Sequence, residues 1–258
     1  MTSTHDLFDL TDRLALVTGS SRGLGRALAQ ALAEAGARVI LHGRSESALA
    51  TTAEAIVAAT GRAPARVCFD VTDAEAVEAG IAAVLAEHGT PDILVNNAGV
   101  QHRAPFTEFS IADWDDLLAT NLSGAFYVSR FVAAAMADRG SGKIVNIGSV
   151  QSLLARQTIT PYAASKGGIA QLTKGMAADL ARFNIQVNTL SPGYFATEMT
   201  RALVDDPEFS AWLVNRTPAR RWGDVAELAG TLIYLCSDAS NFVSGQNIFV
   251  DGGLTSVV

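Results

Sequence analysis

Tyr162 and Lys166 stand four residues apart, so on a helix both side chains leave from one face. A free phenol titrates near pH ~10 and is a poor base at neutral pH. An ammonium beside it favours the phenolate and lowers that value, which makes Tyr162 a candidate general acid or base. Ser149 comes thirteen positions before the tyrosine, at the end of an apolar run, where it can hold the oxygen whose proton Tyr162 takes or gives. The pattern is that of a proton-transfer site.

A second chemistry is written near the start. Val17-Thr18-Gly19-Ser20-Ser21-Arg22-Gly23-Leu24-Gly25 ends a first apolar run and opens a helix. Glycines there let backbone amides approach a pyrophosphate, and the helix N-terminus adds unpaired N–H groups and the positive end of its dipole. The spacing is G-x-x-x-G-x-G rather than G-x-G-x-x-G. The next apolar run ends His42-Gly43-Arg44, with no acid before Glu46 to take a ribose 2′-hydroxyl. Arg22 and Arg44 can instead hold a 2′-phosphate, which points to NADP; the alternative is that both are solvated surface charges. Asp70, ending the third run, suits either an adenine amine or a turn cap.

These residues need a scaffold. Strands are expected over 13–18, 38–42, 66–70, 93–96, 143–148, 186–190 and 247–250, with helices over 24–35, 45–59, 74–88, 111–138, 162–183 and 225–237. The strands are short apolar runs without in/out alternation, as in a parallel sheet covered on both faces. Strict β/α alternation implies an α/β, Rossmann-type doubly wound fold with right-handed crossovers. No linker divides the chain, so residues 1–258 are expected to form one domain. Residues 192–222 form an insertion where a short loop would do, and are expected to be a substrate loop or lid.

The chain has 258 residues, 49% hydrophobic and 17% charged, enough to bury a substantial core. Its net charge of −7 argues against nucleic acid as a partner. Cys68 and Cys236 both lie in apolar segments, which argues against a disulfide framework or thiolate site and for a reducing cytosol. Residues 1–12 are polar and acidic without an apolar leader, and no apolar run is long enough to span a bilayer, so a soluble cytoplasmic protein is expected. The four histidines, at 5, 42, 88 and 102, show no metal-ligand spacing.

Thr18–Gly25, Asn96-Asn97-Ala98-Gly99, Asn121, Ser149, Tyr162-x-x-x-Lys166 and Pro192-Gly193 follow one another at intervals that together resemble the short-chain dehydrogenase/reductase family over nearly the whole chain. The resemblance implies seven parallel strands, bound NAD(P), hydride transfer and a homotetramer. It makes Tyr162 the acid/base, has Lys166 bind the nicotinamide ribose and lower the tyrosine pKa, has Ser149 orient the substrate oxygen, and has Asn121 anchor a water relay. It sets the cofactor against Gly19, Ser21, Arg22, Gly23, Leu24, Gly25, Arg44, Asp70, Val71, Pro192 and Gly193. Asn97, Ala98 and Gly99 fall beside the adenosine ribose, and Thr197 meets the nicotinamide amide.

A finer resemblance lies in 96–109, 158–162, 192–199 and 217–223, and is to family members acting on sugar acids; it implies interconversion of D-gluconate and 5-keto-D-gluconate. Such a substrate needs a cation for its carboxylate and polar groups for its hydroxyls. Arg103, Gln151, Arg156 and Tyr194 follow strands four, five and six, on the side where open α/β sheets bind ligands. Arg103 is the first choice for the carboxylate, although Arg103 and Arg156 suit a surface acid or a neighbouring subunit equally. His102 is a weaker candidate, and Trp212 and Trp222 are expected to pack. Two other readings stay open: a 3-oxoacyl-carrier-protein or other keto reductase, and a non-catalytic NADP(H) sensor.

Overall fold

The computed structural model describes residue 4 and residues 6–258; His5 and residues 1–3 lie outside the described residues. The strands are β1 (Leu14–Val17), β2 (Arg38–Gly43), β3 (Ala65–Cys68), β4 (Ile93–Asn96), β5 (Gly142–Ile147), β6 (Ile185–Pro192) and β7 (Asn247–Val250). They form one seven-stranded sheet in the order β3-β2-β1-β4-β5-β6-β7, every pair parallel. The strand order reverses between β1 and β4, where the diverging connections open a crevice at the carboxyl ends.

The apolar runs are buried for the reason their pattern suggests. Neighbouring residues on β1 belong to opposite layers: Val17 packs with Leu28, Leu32 and Leu41, whereas Leu16 packs with Ile40, Ile81 and Val132. The first layer is covered by α1 (Gly23–Glu34), α2 (Glu46–Thr60) and, farther along the chain, a helix at Ala229–Cys236. The second is covered by α3 (Ala74–His88) and by later helices that carry the site.

The single helix expected over 111–138 is broken. It consists of α4 (Ile111–Leu118), a π-helical turn over Ala119–Ser123, and α5 (Gly124–Arg139). The cause is tertiary: Asn121 is 2% exposed and its amide grips both main-chain groups of Val100, so the helix widens to deliver that side chain to the end of β4. Gly124 then lies so close to Val71 that a Cβ would stand 2.9 Å from the valine Cγ2.

Tyr162 and Lys166 ride on α6 (Thr160–Leu180), which starts earlier than expected, with Pro161 in its first turn. The inserted segment is a helical arm, with α7 (Arg201–Val204) and α8 (Pro207–Arg216). Its base is closed by a parallel bridge between Phe195 and Gly223. The last helix, α9, spans Ala229–Cys236 after a 3-10 turn at Val225–Leu228.

Candidate active site

Three strand ends build the nucleotide-facing wall. Gly19 follows β1 with φ +64°, and a Cβ there would come 2.8 Å from the Ala98 Cα, so the turn demands glycine twice over. Gly25 presses against the Gly19 carbonyl and the Asn97 amide, which brings α1 hard against the turn. Gly23, in contrast, faces open space, with φ +53° and no atom within 4 Å of where a Cβ would sit. Arg22 stands at the N-cap of α1 without making a side-chain capping bond, so no cap blocks the N–H groups of the first turn. Open backbone at a helix N-terminus fits a pyrophosphate. Arg44 is exposed, and its nearest acid is Asp70 at 3.9 Å, a loose pair that leaves the guanidinium fork free for a phosphate. Asp70 itself accepts from the Thr72 amide (2.9 Å) and hydroxyl (2.8 Å), and the amide bond most of all holds its pKa below the ordinary carboxylate value.

The catalytic candidates meet at the ends of β5 and α6. Ser149 is 8% exposed; its Oγ accepts from the Gln151 amide at 3.1 Å and its hydroxyl bonds the Tyr162 phenol. The Lys166 ammonium lies 5.6 Å from the Tyr162 ring centre and donates to the Ile147 carbonyl at 2.7 Å. Asn121 touches α6 one residue earlier, donating to Ser165 at 3.3 Å. The electrostatics depart from expectation. Burial pushes the Tyr162 pKa up, and the Ser149 bond only partly opposes this. Lys166 is pushed down to about 8 by its own burial. In the chain alone, then, Tyr162 is a protonated phenol at neutral pH, ready to act as an acid.

The four substrate candidates also come together. Gln151 donates to the Tyr194 hydroxyl at 3.4 Å, and Arg156 bonds the same hydroxyl. Arg103 and Arg156 both pull on the Tyr194 pKa, which burial raises. The charged neighbour of Arg103 is Arg156 rather than a carboxylate, and burial, then that like charge, lowers its pKa. Two guanidiniums close enough to act on each other and on one phenol suit an anion. The arm covers this corner: Phe209 lies 5.5 Å from the Arg156 guanidinium and 5.6 Å from the Tyr194 ring. Trp222 packs edge-on to Tyr194 and donates to Ser210 at 3.0 Å, whereas Trp212 is 49% exposed against Phe209. His102 is held by Asp116 on α4 at 3.0 Å, which explains it as a tether.

Residues 19–255 match the family model described as enoyl-(acyl carrier protein) reductase. A gluconate 5-dehydrogenase of Gluconobacter oxydans (strain 621H) is 54% identical over 250 residues, covering 97% of each chain. The 5-keto-D-gluconate 5-reductase of Escherichia coli (strain K12) is 47% identical over 98% of this chain and 100% of its own. A crystal structure of a gluconate 5-dehydrogenase from Burkholderia cenocepacia J2315, in complex with NADP and tartrate, superposes with a TM-score of 0.96 at 54% identity, covering 99% of this chain and 100% of that one. The chain belongs to the short-chain dehydrogenase/reductase family.

Within this short-chain dehydrogenase/reductase, several supports of the site escape a reading of the sequence. His42 is 2% exposed and ties two strand ends together: its Nδ1 accepts from the Gly19 amide (3.2 Å) and its Nε2–H donates to the Phe69 carbonyl (3.1 Å). Burial pushes its pKa down to about 4, so it stays neutral and keeps that acceptor. Thr52 of α2 donates to the carbonyls of Ser20 and Ser21, and Thr18 Oγ1 accepts from the amides of Asn97 and Ala98. The Asn97 side chain, expected near the adenosine ribose, bonds the Thr18 and Gly19 carbonyls and braces the turn from within. Gly99 lies against Asn121, 3.2 Å from its Oδ1 to the site of a Cβ. Pro192 ends β6, Gly193 donates to Val250 at 2.9 Å, and Thr197 caps the first turn of the arm. Val71 lies beneath Gly124, and Leu24 packs into the core. No helix among the described residues is long and apolar enough to cross a membrane.

Proposed function

We propose that the protein is an NADP-dependent oxidoreductase that interconverts D-gluconate and 5-keto-D-gluconate, with Tyr162 as general acid and base. The observation that carries this reading is the Arg103–Arg156–Tyr194 corner opening beside the Ser149–Tyr162 pair. Bound NADP(H) supplies or accepts the hydride. Ser149 donates a hydrogen bond to the substrate oxygen and Tyr162 protonates it in the reducing direction; in the oxidising direction the phenolate takes the hydroxyl proton. The buried Lys166 ammonium adds positive charge beneath the ring. Asn121 holds Val100 and α6 in register, and Arg103 with Arg156 binds the carboxylate.

Arg44, with Arg22, supports NADP over NAD, and the NADP in the Burkholderia relative agrees. The description of the family model raises an acyl-carrier substrate, but a corner of two arginines and a buried glutamine suits a polar anion better than an alkyl chain. We also place the enzyme in the cytosol as a homotetramer. Ile111, Trp114 and Phe126 expose an apolar face on α4 and α5 that assembly would cover.

The test is NADPH oxidation with 5-keto-D-gluconate and with D-fructose, a neutral ketose of equal length. The reading expects the acid to be reduced much faster, with Arg103→Met raising its KM by about tenfold, the loss of one charge-assisted contact. Equal rates on the neutral ketose, unaffected by Arg103→Met, would overturn it.

A further inference from the structure

Among the described residues three buried side-chain amide oxygens have no hydrogen-bond donor: Asn96 Oδ1, Gln101 Oε1 and Gln151 Oε1. Asn96 is the last residue of β4, with its NH2 on Ser129 and Asn146, and the two glutamines lie on the loops beyond. Nearly all buried polar atoms in folded chains are paired, so each exception asks for a partner. Both glutamines stand at the carboxyl ends of central strands, on segments fixed by the site. Gln151 follows β5, with its main-chain N–H on Ser149 Oγ and its side-chain NH2 on the Tyr194 hydroxyl. Turning that amide over exchanges its ends and still leaves one without a partner. Gln101 follows Val100, which Asn121 grips at 2.8 and 3.0 Å, and the loop is pinned again where Ala104 donates to the Thr158 carbonyl at 3.2 Å.

An oxygen presented there needs a donor, and the NH2 of a turned-over amide needs an acceptor. A carboxylate at neutral pH and the reacting carbonyl only accept. The hydroxyls of a sugar acid do both and so satisfy either orientation. We infer that Gln101 and Gln151 each accept a hydrogen bond from a hydroxyl of the substrate chain, and so select a polyhydroxylated acid over a plain keto acid. This rests on the sugar-acid reading above and deepens it: the arginines recognise the charge and the glutamines the hydroxyls. A site built to bond a hydroxyl rejects the analogue lacking it, because the buried acceptor is then left unpaired.

The experiment compares 5-keto-D-gluconate with 5-oxohexanoate, which keeps the carbon chain, carboxylate and 5-keto group and lacks every hydroxyl. Wild type, Gln101→Met and Gln151→Met are assayed with NADPH, and the Tm of each unliganded protein is recorded; Gln→Leu substitutes for any Met variant that does not fold. Each variant should lower the ratio of kcat/KM on 5-keto-D-gluconate to that on 5-oxohexanoate by about tenfold or more, and Gln101→Met should match or exceed the wild-type Tm because an unpaired oxygen has gone. Parallel loss on both substrates with a lowered Tm would make the glutamines packing residues and overturn the inference. So would unchanged kinetics on 5-keto-D-gluconate. Should the wild type reduce neither acid while reducing another ketone, the gluconate reading itself falls, and this inference with it.

Discussion

Tyr162 carries a sign that fixes the pH behaviour of the reaction. Burial raises its pKa, so the phenol holds its proton through neutral pH and the reductive direction should run there without a titration step. Oxidation needs the phenolate, so its kcat/KM should climb as pH rises into the alkaline range; a flat profile for oxidation would contradict the assignment. His42 makes a second prediction. Burial holds its folded pKa down at about 4, against 6.5 for an ordinary histidine, so between those values the unfolded chain binds a proton that the folded chain does not. Stability therefore falls as pH drops from 6.5 through 4, by at most about 3 kcal/mol, and is intact above 6.5. His42→Asn, which keeps an acceptor for Gly19 and cannot charge, should flatten the acid limb of a Tm-against-pH curve. At the rim, Arg44→Ala should weaken NADPH binding by about tenfold and leave NADH nearly untouched, as read by fluorescence titration.

At the scale of elements, the strands and the glycine turn were legible because their signals are local: an apolar run, glycines where a side chain collides, a helix directly after. The π-helical turn was not. Residues 111–138 read as one helix, and the break arises because Asn121 reaches Val100, 21 positions away. His42 was equally silent, since its partners are 23 and 27 positions away. The burial that raises the Tyr162 pKa was not legible either, because spacing shows proximity and not burial. Two substitutions test the elements. Gly124→Ala drives a methyl toward Val71 and should lower both Tm and kcat by disturbing the turn that carries Asn121. Thr158 is β-branched with φ +69°, two residues before α6 begins, and strain of this kind costs about 1–3 kcal/mol. Thr158→Gly should relieve it and raise Tm by about 2–4 °C for each kcal/mol recovered; an unchanged or lower Tm would deny the strain.

For the whole molecule, the doubly wound sheet places every chemical part on one edge. The turn after β1, the ends of β4, β5 and β6, and the arm over them converge where the strand order reverses. If the proposed homotetramer covers the exposed Ile111, Trp114 and Phe126, light scattering should find a mass of four chains and Phe126→Glu should lower it. The central claim is that this edge is a reductase whose proton comes from Tyr162. It is tested most directly by following NADPH absorbance with 5-keto-D-gluconate for wild type and Tyr162→Phe, with NADPH affinity measured in both. The account predicts brisk turnover by the wild type, a loss of about 10²–10⁴-fold in kcat for the variant, and equal NADPH affinity. Turnover by Tyr162→Phe close to the wild-type rate would contradict it.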